Sequence, residues 1–250
     1  MTSETPTPTP RVAIVTGGSR GIGRAVVQQL AGDGFAVVVG YAGRKDAADE
    51  AVAEVRQAGG QATAVQADVA DEQQVTALFD TAERTFGGVD VVVHAAGRMH
   101  LAPIAELDLE ALDSLYRTNI RGTFVVAQQA ARRIRSGGAV INFSTSVVGL
   151  AFPGYGAYTA SKGAVEALTL VLAREMRGRD VSVNAVAPGP TATGLFLDGK
   201  DEETIARLAA QPPLERLGTP EDIASVVGFL AGPSGHWVNG QVLRANGGII

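Results

Sequence analysis

The sequence predicts a doubly wound α/β fold, one parallel sheet of about seven strands with helices on both faces. Three observations carry that expectation. Short runs of Val, Ile and Ala recur without polar alternation, the pattern of strands buried on both sides. Helical stretches separate the runs, and strand–helix alternation from end to end builds parallel crossovers. The length of 250 residues suits one large domain, with no internal repeat and no linker to divide it.

The first strand is VAIVTG from Val12, which runs into a glycine-rich turn. AVVVG from Ala36, ATAVQAD from Ala62 and VDVVVHAAG from Val89 follow as the second, third and fourth strands. AVINFS from Ala139, VSVNAVAPG from Val181 and QVLRANGG from Gln241 complete the set. After the second strand DAADEAVAEVRQAG reads as a helix, and after the third DEQQVTALFDTAERTFGG does. Each closes on Gly, where a left-handed C-cap would sit. Ahead of the first strand, MTSETPTPTP alternates Thr with Pro and suits neither ladder nor helix. Residues 1–10 are therefore expected to be a flexible tail, with 11–250 as the single domain. The tail has neither the basic nor the apolar region of a signal peptide.

Composition excludes several function classes. With 46% hydrophobic and 19% charged residues the chain has the make-up of a globular protein. A net charge of -5 offers no basic footprint for nucleic acid or an anionic membrane. No apolar run approaches the ~20 residues of a membrane helix. The absence of Cys removes disulfides and thiolate metal sites and agrees with a cytoplasmic location. His94, His100 and His236 lack metal-ligand spacing, so no metal is expected.

Chemistry first shows at VAIVTGGSRGIG, where a strand ends in a glycine turn and a helix opens. Gly17, Gly21 and Gly23, with Ser19, Arg20 and Ile22 between them, let the backbone approach a pyrophosphate at a helix N-terminus. No Gly-Lys-Ser/Thr completes a nucleoside-triphosphate loop. An acidic residue at the end of the second strand would hold the ribose 2′-OH of NAD, but that strand ends VVVGYAGRK, without a carboxylate until Asp46. Tyr41, Arg44 and Lys45 stand there instead, and Arg20 sits inside the glycine turn. A guanidinium cluster of this kind suits a 2′-phosphate, so NADP(H) is the expected cofactor. Asp68 and Val69 end the third strand where an adenine would lie, and Ala95, Ala96 and Gly97 in HAAG end the fourth beside the cofactor path.

Another stretch, YTASKGAVEAL, opens a helix with Tyr158 and places Lys162 four residues on, in a chain with four Tyr and three Lys. Chance would give such a pair only about 0.05 times. Spacing of four puts both side chains on one helix face.

Taken together these residues resemble the short-chain dehydrogenase/reductase family in its compact, single-domain, Rossmann-type branch. The likeness runs from Arg11 to Ile250 through TGGSRGIG, Asp68, HAAG, Asn119 in YRTNIRGTF, FSTS, YTASK, APGPTAT and GQVLRANGG. Ketoacyl-carrier-protein reductase-like and trihydroxynaphthalene-reductase-like ketoreductases are the most similar subgroups. His94 departs from the family's usual Asn, and Gly194 from its usual Asp.

The resemblance implies reduction of a ketone. Tyr158 supplies a proton to the developing alkoxide; Lys162 favours the phenolate, which should lower a phenol pKa of about 10. By resemblance Lys162 also holds the nicotinamide ribose, and Asn119 orders a water in a proton relay. On the residues alone, Asn119 reads equally as a buried polar group bending its helix. The hydroxyl that holds the substrate oxygen is Thr145 by ungapped register or Ser146 by the family's Ser-x-x-Gly, with Ser144 beside them. Pro188, Gly189, Thr191 and Thr193 fall where the family contacts the carboxamide. The stretch GLFLDGKDEETIARLAAQ forms the expected lid, its acidic run a solvated helix start. Phe152, Tyr155, Leu195 and Phe196 are candidates for an apolar substrate pocket.

The expected protein is thus an NADPH-dependent carbonyl reductase or alcohol dehydrogenase acting on a small-molecule ketone or alcohol. Its alternatives are an NAD-linked secondary-alcohol or sugar dehydrogenase and a dinucleotide-binding regulator without turnover. Family likeness and the apolar segment FLAGPSGHWVNGQVLRANGGII suggest a homotetramer or homodimer.

Overall fold

The computed structural model describes residues 10–250; apart from Pro10, the stretch expected to be a tail lies outside the described residues. The seven expected strands form a single sheet: β1 (Val12–Thr16), β2 (Ala36–Tyr41), β3 (Gln61–Gln66), β4 (Val91–His94), β5 (Ala139–Phe143), β6 (Ser182–Pro188) and β7 (Val242–Ala245). Their order is β3-β2-β1-β4-β5-β6-β7 and every pairing is parallel. The order reverses between β1 and β4, and in sheets of this kind ligands bind at that reversal, beyond the carboxyl ends of the strands.

Among the described residues ten α-helices connect the strands: α1 (Gly21–Gly32), α2 (Lys45–Gln57), α3 (Glu72–Phe86), α4 (Leu109–Tyr116), α5 (Gly122–Arg133), α6 (Val147–Leu150), α7 (Gly156–Glu175), α8 (Gly194–Leu197), α9 (Glu202–Ala209) and α10 (Pro220–Ala231). Alternate strand residues feed opposite faces, as a period of two requires. Ala13, Val15, Val37, Val39, Val91 and Val93 pack with α1, α2 and α10. Val12, Ile14, Ala36, Val38, Val92 and Val140 pack with α3, α5 and α7. Coverage on both sides is why these strands carry so little polar alternation. The edge strands β3 and β7 are less buried.

Helix ends follow local chemistry. Asp71 caps α3 by accepting from the Gln73 and Gln74 N–H groups, and Gly87 closes it at φ 90°. The expected glycine end of α2 lies one residue later than a C-cap: Ala58 caps and Gly59 turns left-handed at φ 84°. Thr219 and Asp222 form a reciprocal capping box on α10, with Pro220 at the first helical position.

Candidate active site

A cavity of about 890 Å³ opens over the carboxyl ends of the strands. Its floor is the glycine turn. Gly17 at φ +69° and Gly21 at φ +53° are left-handed, and a Cβ on Gly17 would lie 2.9 Å from the Ala96 backbone. Gly23 has even less room, since its Cβ would come within 2.2 Å of the Gly17 carbonyl oxygen. The turn thus folds against the end of β4, and α1 begins behind it with no side-chain cap on its first N–H groups. Uncapped N–H groups facing a cavity suit an anion.

Further along the same wall, Tyr41 is buried while Arg20 and Arg44 are exposed on the lining. Among the described residues neither arginine is ion-paired, whereas Lys45 is engaged with Asp49 at 2.5 Å. A tight glycine cradle, open helix N–H groups and two uncommitted guanidinium groups fit a phosphate-bearing dinucleotide. Asp68 and Val69 lie on the lining too; the Asp68 carboxylate accepts from Arg117 at 2.6 Å and from the Ala70 N–H at 3.0 Å.

At the other end, Tyr158 stands in the first turn of α7 and Lys162 in the next. Lys162 is buried, donates to the Phe143 carbonyl at 2.8 Å, and sits 6.0 Å from the Tyr158 ring centroid. The expectation that it lowers the phenol pKa is corrected here. Burial pushes Tyr158 up to about 12; the Thr145 hydroxyl opposes that shift and Tyr155 adds to it. Burial likewise pushes Lys162 down to about 8. Both groups resist charge because water is excluded from both, and the lysine is turned onto the end of β5.

The three hydroxyls after β5 separate clearly. Ser144 donates to Glu166 at 2.6 Å on the side of α7. Ser146 donates to the Ala187 carbonyl at 3.1 Å and accepts from Asn246 at 3.0 Å, so its hydroxyl is committed to the protein although the residue borders the cavity. Thr145 also lines the cavity; its hydroxyl accepts from the Val147 N–H at 3.4 Å and opposes the rise of the Tyr158 pKa.

Asn119 does not line the cavity. It is buried in a π-helical turn, Arg117–Arg121, between α4 and α5, so the helix is indeed distorted there. Its side-chain oxygen accepts from the Arg98 N–H at 2.8 Å. Its amide nitrogen donates to the Arg98 carbonyl at 2.9 Å and to Ser161 at 3.0 Å, and Ser161 donates in turn to the Tyr158 carbonyl at 2.7 Å. Both amide protons are spent on the protein. The side chain clamps the loop after β4 to the turn of α7 that carries Tyr158. His94, in place of the family's usual Asn, is buried with Nδ1 2.9 Å from the Thr16 hydroxyl, which also accepts from the Ala96 N–H at 3.3 Å. Burial first, and the Lys162 charge second, hold His94 neutral, near pKa 3.

Ala95, Ala96 and Gly97, then Pro188, Gly189, Thr191 and Thr193, line the cavity, and so do Phe152, Tyr155, Leu195 and Phe196. Phe152 and Tyr155 meet edge to face at 5.9 Å. Met99, Leu150 and Ile249 also line it and were not expected, each lying outside any motif, while Gln211 comes from the end of the expected lid stretch. Arg98, one residue past HAAG, is the lining residue that the motif's position would have indicated.

The comparisons with known proteins agree with this geometry. A family model described as enoyl-(acyl carrier protein) reductase matches residues 17–250. A short-chain type dehydrogenase/reductase of Picea abies is 44% identical, covering 96% of this chain and 92% of its own. The chain belongs to the short-chain dehydrogenase/reductase family. Another relative in that family, an NADPH-dependent aldehyde reductase 2 (chloroplastic) of Arabidopsis thaliana, is 42% identical over 96% of this chain and 94% of its own. Among solved structures, a short-chain dehydrogenase from Burkholderia cenocepacia in complex with NADP superposes with a TM-score of 0.90 at 33% identity, covering 97% of this chain and 99% of that one. The chain is an oxidoreductase of the short-chain dehydrogenase/reductase type, and no helix among its described residues is long and apolar enough to cross a membrane.

Proposed function

We propose that the protein is an NADPH-dependent carbonyl reductase, reversibly an alcohol dehydrogenase acting on CH–OH groups, with both sites in one domain spanning 11–250. The observation that carries this reading is that Thr145, Tyr158 and Lys162 line the same cavity as the glycine turn, with Tyr158 and Lys162 one helical turn apart on α7. Gly17, Ser19, Gly21, Ile22 and Gly23 would hold NADPH, with Arg20 and Arg44 toward its 2′-phosphate, Asp68 and Val69 toward its adenine, and Pro188, Gly189, Thr191 and Thr193 toward its carboxamide; when bound it would supply the hydride.

The chain's own residues do the rest. Thr145 donates to the carbonyl oxygen and orients it toward Tyr158. Tyr158 gives its phenolic proton to the oxygen as the alkoxide develops. Lys162, cationic at neutral pH, lies one helical turn away and stabilises the phenolate left behind. Asn119, through Ser161, holds the Tyr158 turn against the loop after β4. Phe152, Tyr155, Leu195 and Phe196 keep water from the reacting oxygen.

The missing carboxylate after β2 and the two free arginines support NADP over NAD, as do the NADPH and NADP named for the relatives above. A screen of NADPH consumption over ketones, aldehydes, β-ketoesters, quinones and an enoyl thioester tests the reading. Turnover of carbonyls upholds it; turnover confined to the enoyl thioester overturns it, and none with any substrate points to the non-catalytic alternative.

Assembly as a homotetramer or homodimer belongs to the same proposal. Phe124 on α5 with Leu170 and Val171 on α7 is exposed, and so are Phe229 and Trp237 near the C-terminal segment. Such apolar faces suit burial against further copies. Light scattering at micromolar concentration checks it, and a monomeric mass contradicts it. A cytoplasmic location remains the expectation from a cysteine-free chain, to be checked by fractionation.

A further inference from the structure

We propose that Lys200 is a positioning residue for substrate specificity, pinning the Phe196 ring as the outer wall of the substrate end of the cavity. The inference rests on the carbonyl-reductase reading and deepens it.

Two of the three lysines have roles already described, Lys162 inside the site and Lys45 in its ion pair with Asp49. Lys200 follows the lid helix α8 in an acidic stretch with Asp198, Asp201, Glu202 and Glu203, where a lysine would be expected to pair with a carboxylate. Among the described residues it forms no salt bridge. Its ammonium lies instead 4.6 Å from the centroid of the Phe196 ring and donates to the Phe196 carbonyl, so one side chain grips both ring and backbone of a single residue. Partial burial lowers its pKa despite the nearby Asp198.

Phe196 is a residue whose position needs such help. It lines the cavity from α8, a four-residue helix with no fully buried side chain. A single turn of helix does not hold itself in place. Its start is anchored by Thr193, whose hydroxyl accepts from the Phe196 N–H at 3.3 Å and whose methyl sits near the glycine turn, 3.4 Å from where a Gly21 Cβ would be. The far end has Lys200. Between these anchors the ring is held on the lining of the cavity that Phe152 and Tyr155 also border, so a shift of the ring would change the room left for substrate. A carbonyl compound whose apolar group reaches that wall gains contact with a fixed ring; a smaller one does not reach it.

The test uses Lys200→Met, which keeps length and loses the charge and donor, and Lys200→Arg, which keeps both. Methyl ketones of increasing alkyl length are compared at saturating NADPH. Lys200→Met should raise KM about three- to tenfold for the longest ketones, leave the shortest unchanged and hold kcat within about twofold, with Arg restoring wild-type values. An unchanged KM for long ketones, an equal rise for every ketone, or failure of Arg to restore would overturn the proposal. Hydrogen exchange reads the pin without turnover. The Leu197, Asp198 and Lys200 amides donate to Thr193, Gly194 and Leu197 carbonyls. They should exchange faster in Lys200→Met and at the wild-type rate in Lys200→Arg; unchanged exchange in the Met variant also overturns it. If the wild type consumes no NADPH with any carbonyl, the reductase reading fails, and exchange alone decides the pin.

Discussion

Lys162 should make the folded protein more stable as pH rises from 8 to 10, and Lys162→Met should abolish that gain. The lysine is 6% exposed and its pKa falls from 10.5 to about 8 in the folded chain. Between those values the unfolded chain holds a proton that the folded chain has released, so folding stability increases with pH. Its contribution is complete above the unfolded pKa and is lost as pH falls through the folded one. The slope is about 1.4 kcal/mol per pH unit, and the full window is worth about 3 kcal/mol. For a chain of this size about 1 kcal/mol moves Tm by roughly 2–4 °C. Thermal melts of wild type and Lys162→Met from pH 7 to 10, without added cofactor, isolate the effect, because groups common to both proteins cancel in the difference. The variant loses the hydrogen bond to the Phe143 carbonyl, but that offset does not depend on pH. Its advantage over wild type should therefore shrink, or its deficit grow, by roughly 5–10 °C between pH 8 and 10. Tyr158, raised to about 12, acts with the opposite sign and only above pH 10. A difference in Tm that stays constant across this range would refute the reasoning.

Tyr158→Phe keeps the ring and removes the proton, so kcat should fall by about 10²–10⁴ while NADPH binding, followed by fluorescence titration, is retained. Thr145→Ala should cost far more activity than Ser144→Ala, whose hydroxyl serves Glu166, with thermal melts checking that both variants are folded. Replacing Arg20 and Arg44 together by Ala should weaken NADPH about tenfold or more and leave NADH nearly unchanged, because only a 2′-phosphate loses charge-assisted hydrogen bonds. Equal losses in titrations with both cofactors would mean damage to the glycine turn instead.

The fold was legible because the inner strands are apolar enough to be seen without their partners. Val12–Thr16 is buried at every position, and no polar residue interrupts it before Thr16. The glycine turn was legible for a related reason: strand, glycines and helix are contiguous, so local sequence contains the whole device. Other parts are made by contacts between distant segments. The clamp from Asn119 to Arg98 joins residues 21 apart, and Ile249 reaches the cavity only because β7 lies beside β6. Register alone preferred Thr145 without excluding Ser146; what separates them is that Asn246, 100 residues on, uses the Ser146 hydroxyl.

The sign of the Tyr158 shift was not legible, since spacing in a helix places Lys162 on the same face but says nothing of how dry that face is. Dryness changes what the pair is ready to do. With Tyr158 near 12 and Lys162 near 8, at neutral pH the phenol is protonated and the ammonium charged. On the proposed function, those are the states from which carbonyl reduction would begin, a proton held for the oxygen and a cation beside the site where negative charge would appear. Alcohol oxidation would begin from the phenolate, which the same burial opposes. A nitrogen 6.0 Å from the ring centroid and bonded to the Phe143 carbonyl does not offset the burial of the phenol, so any help that Lys162 gives to its ionisation on the proposed function is outweighed in the resting protein by the dryness of that face.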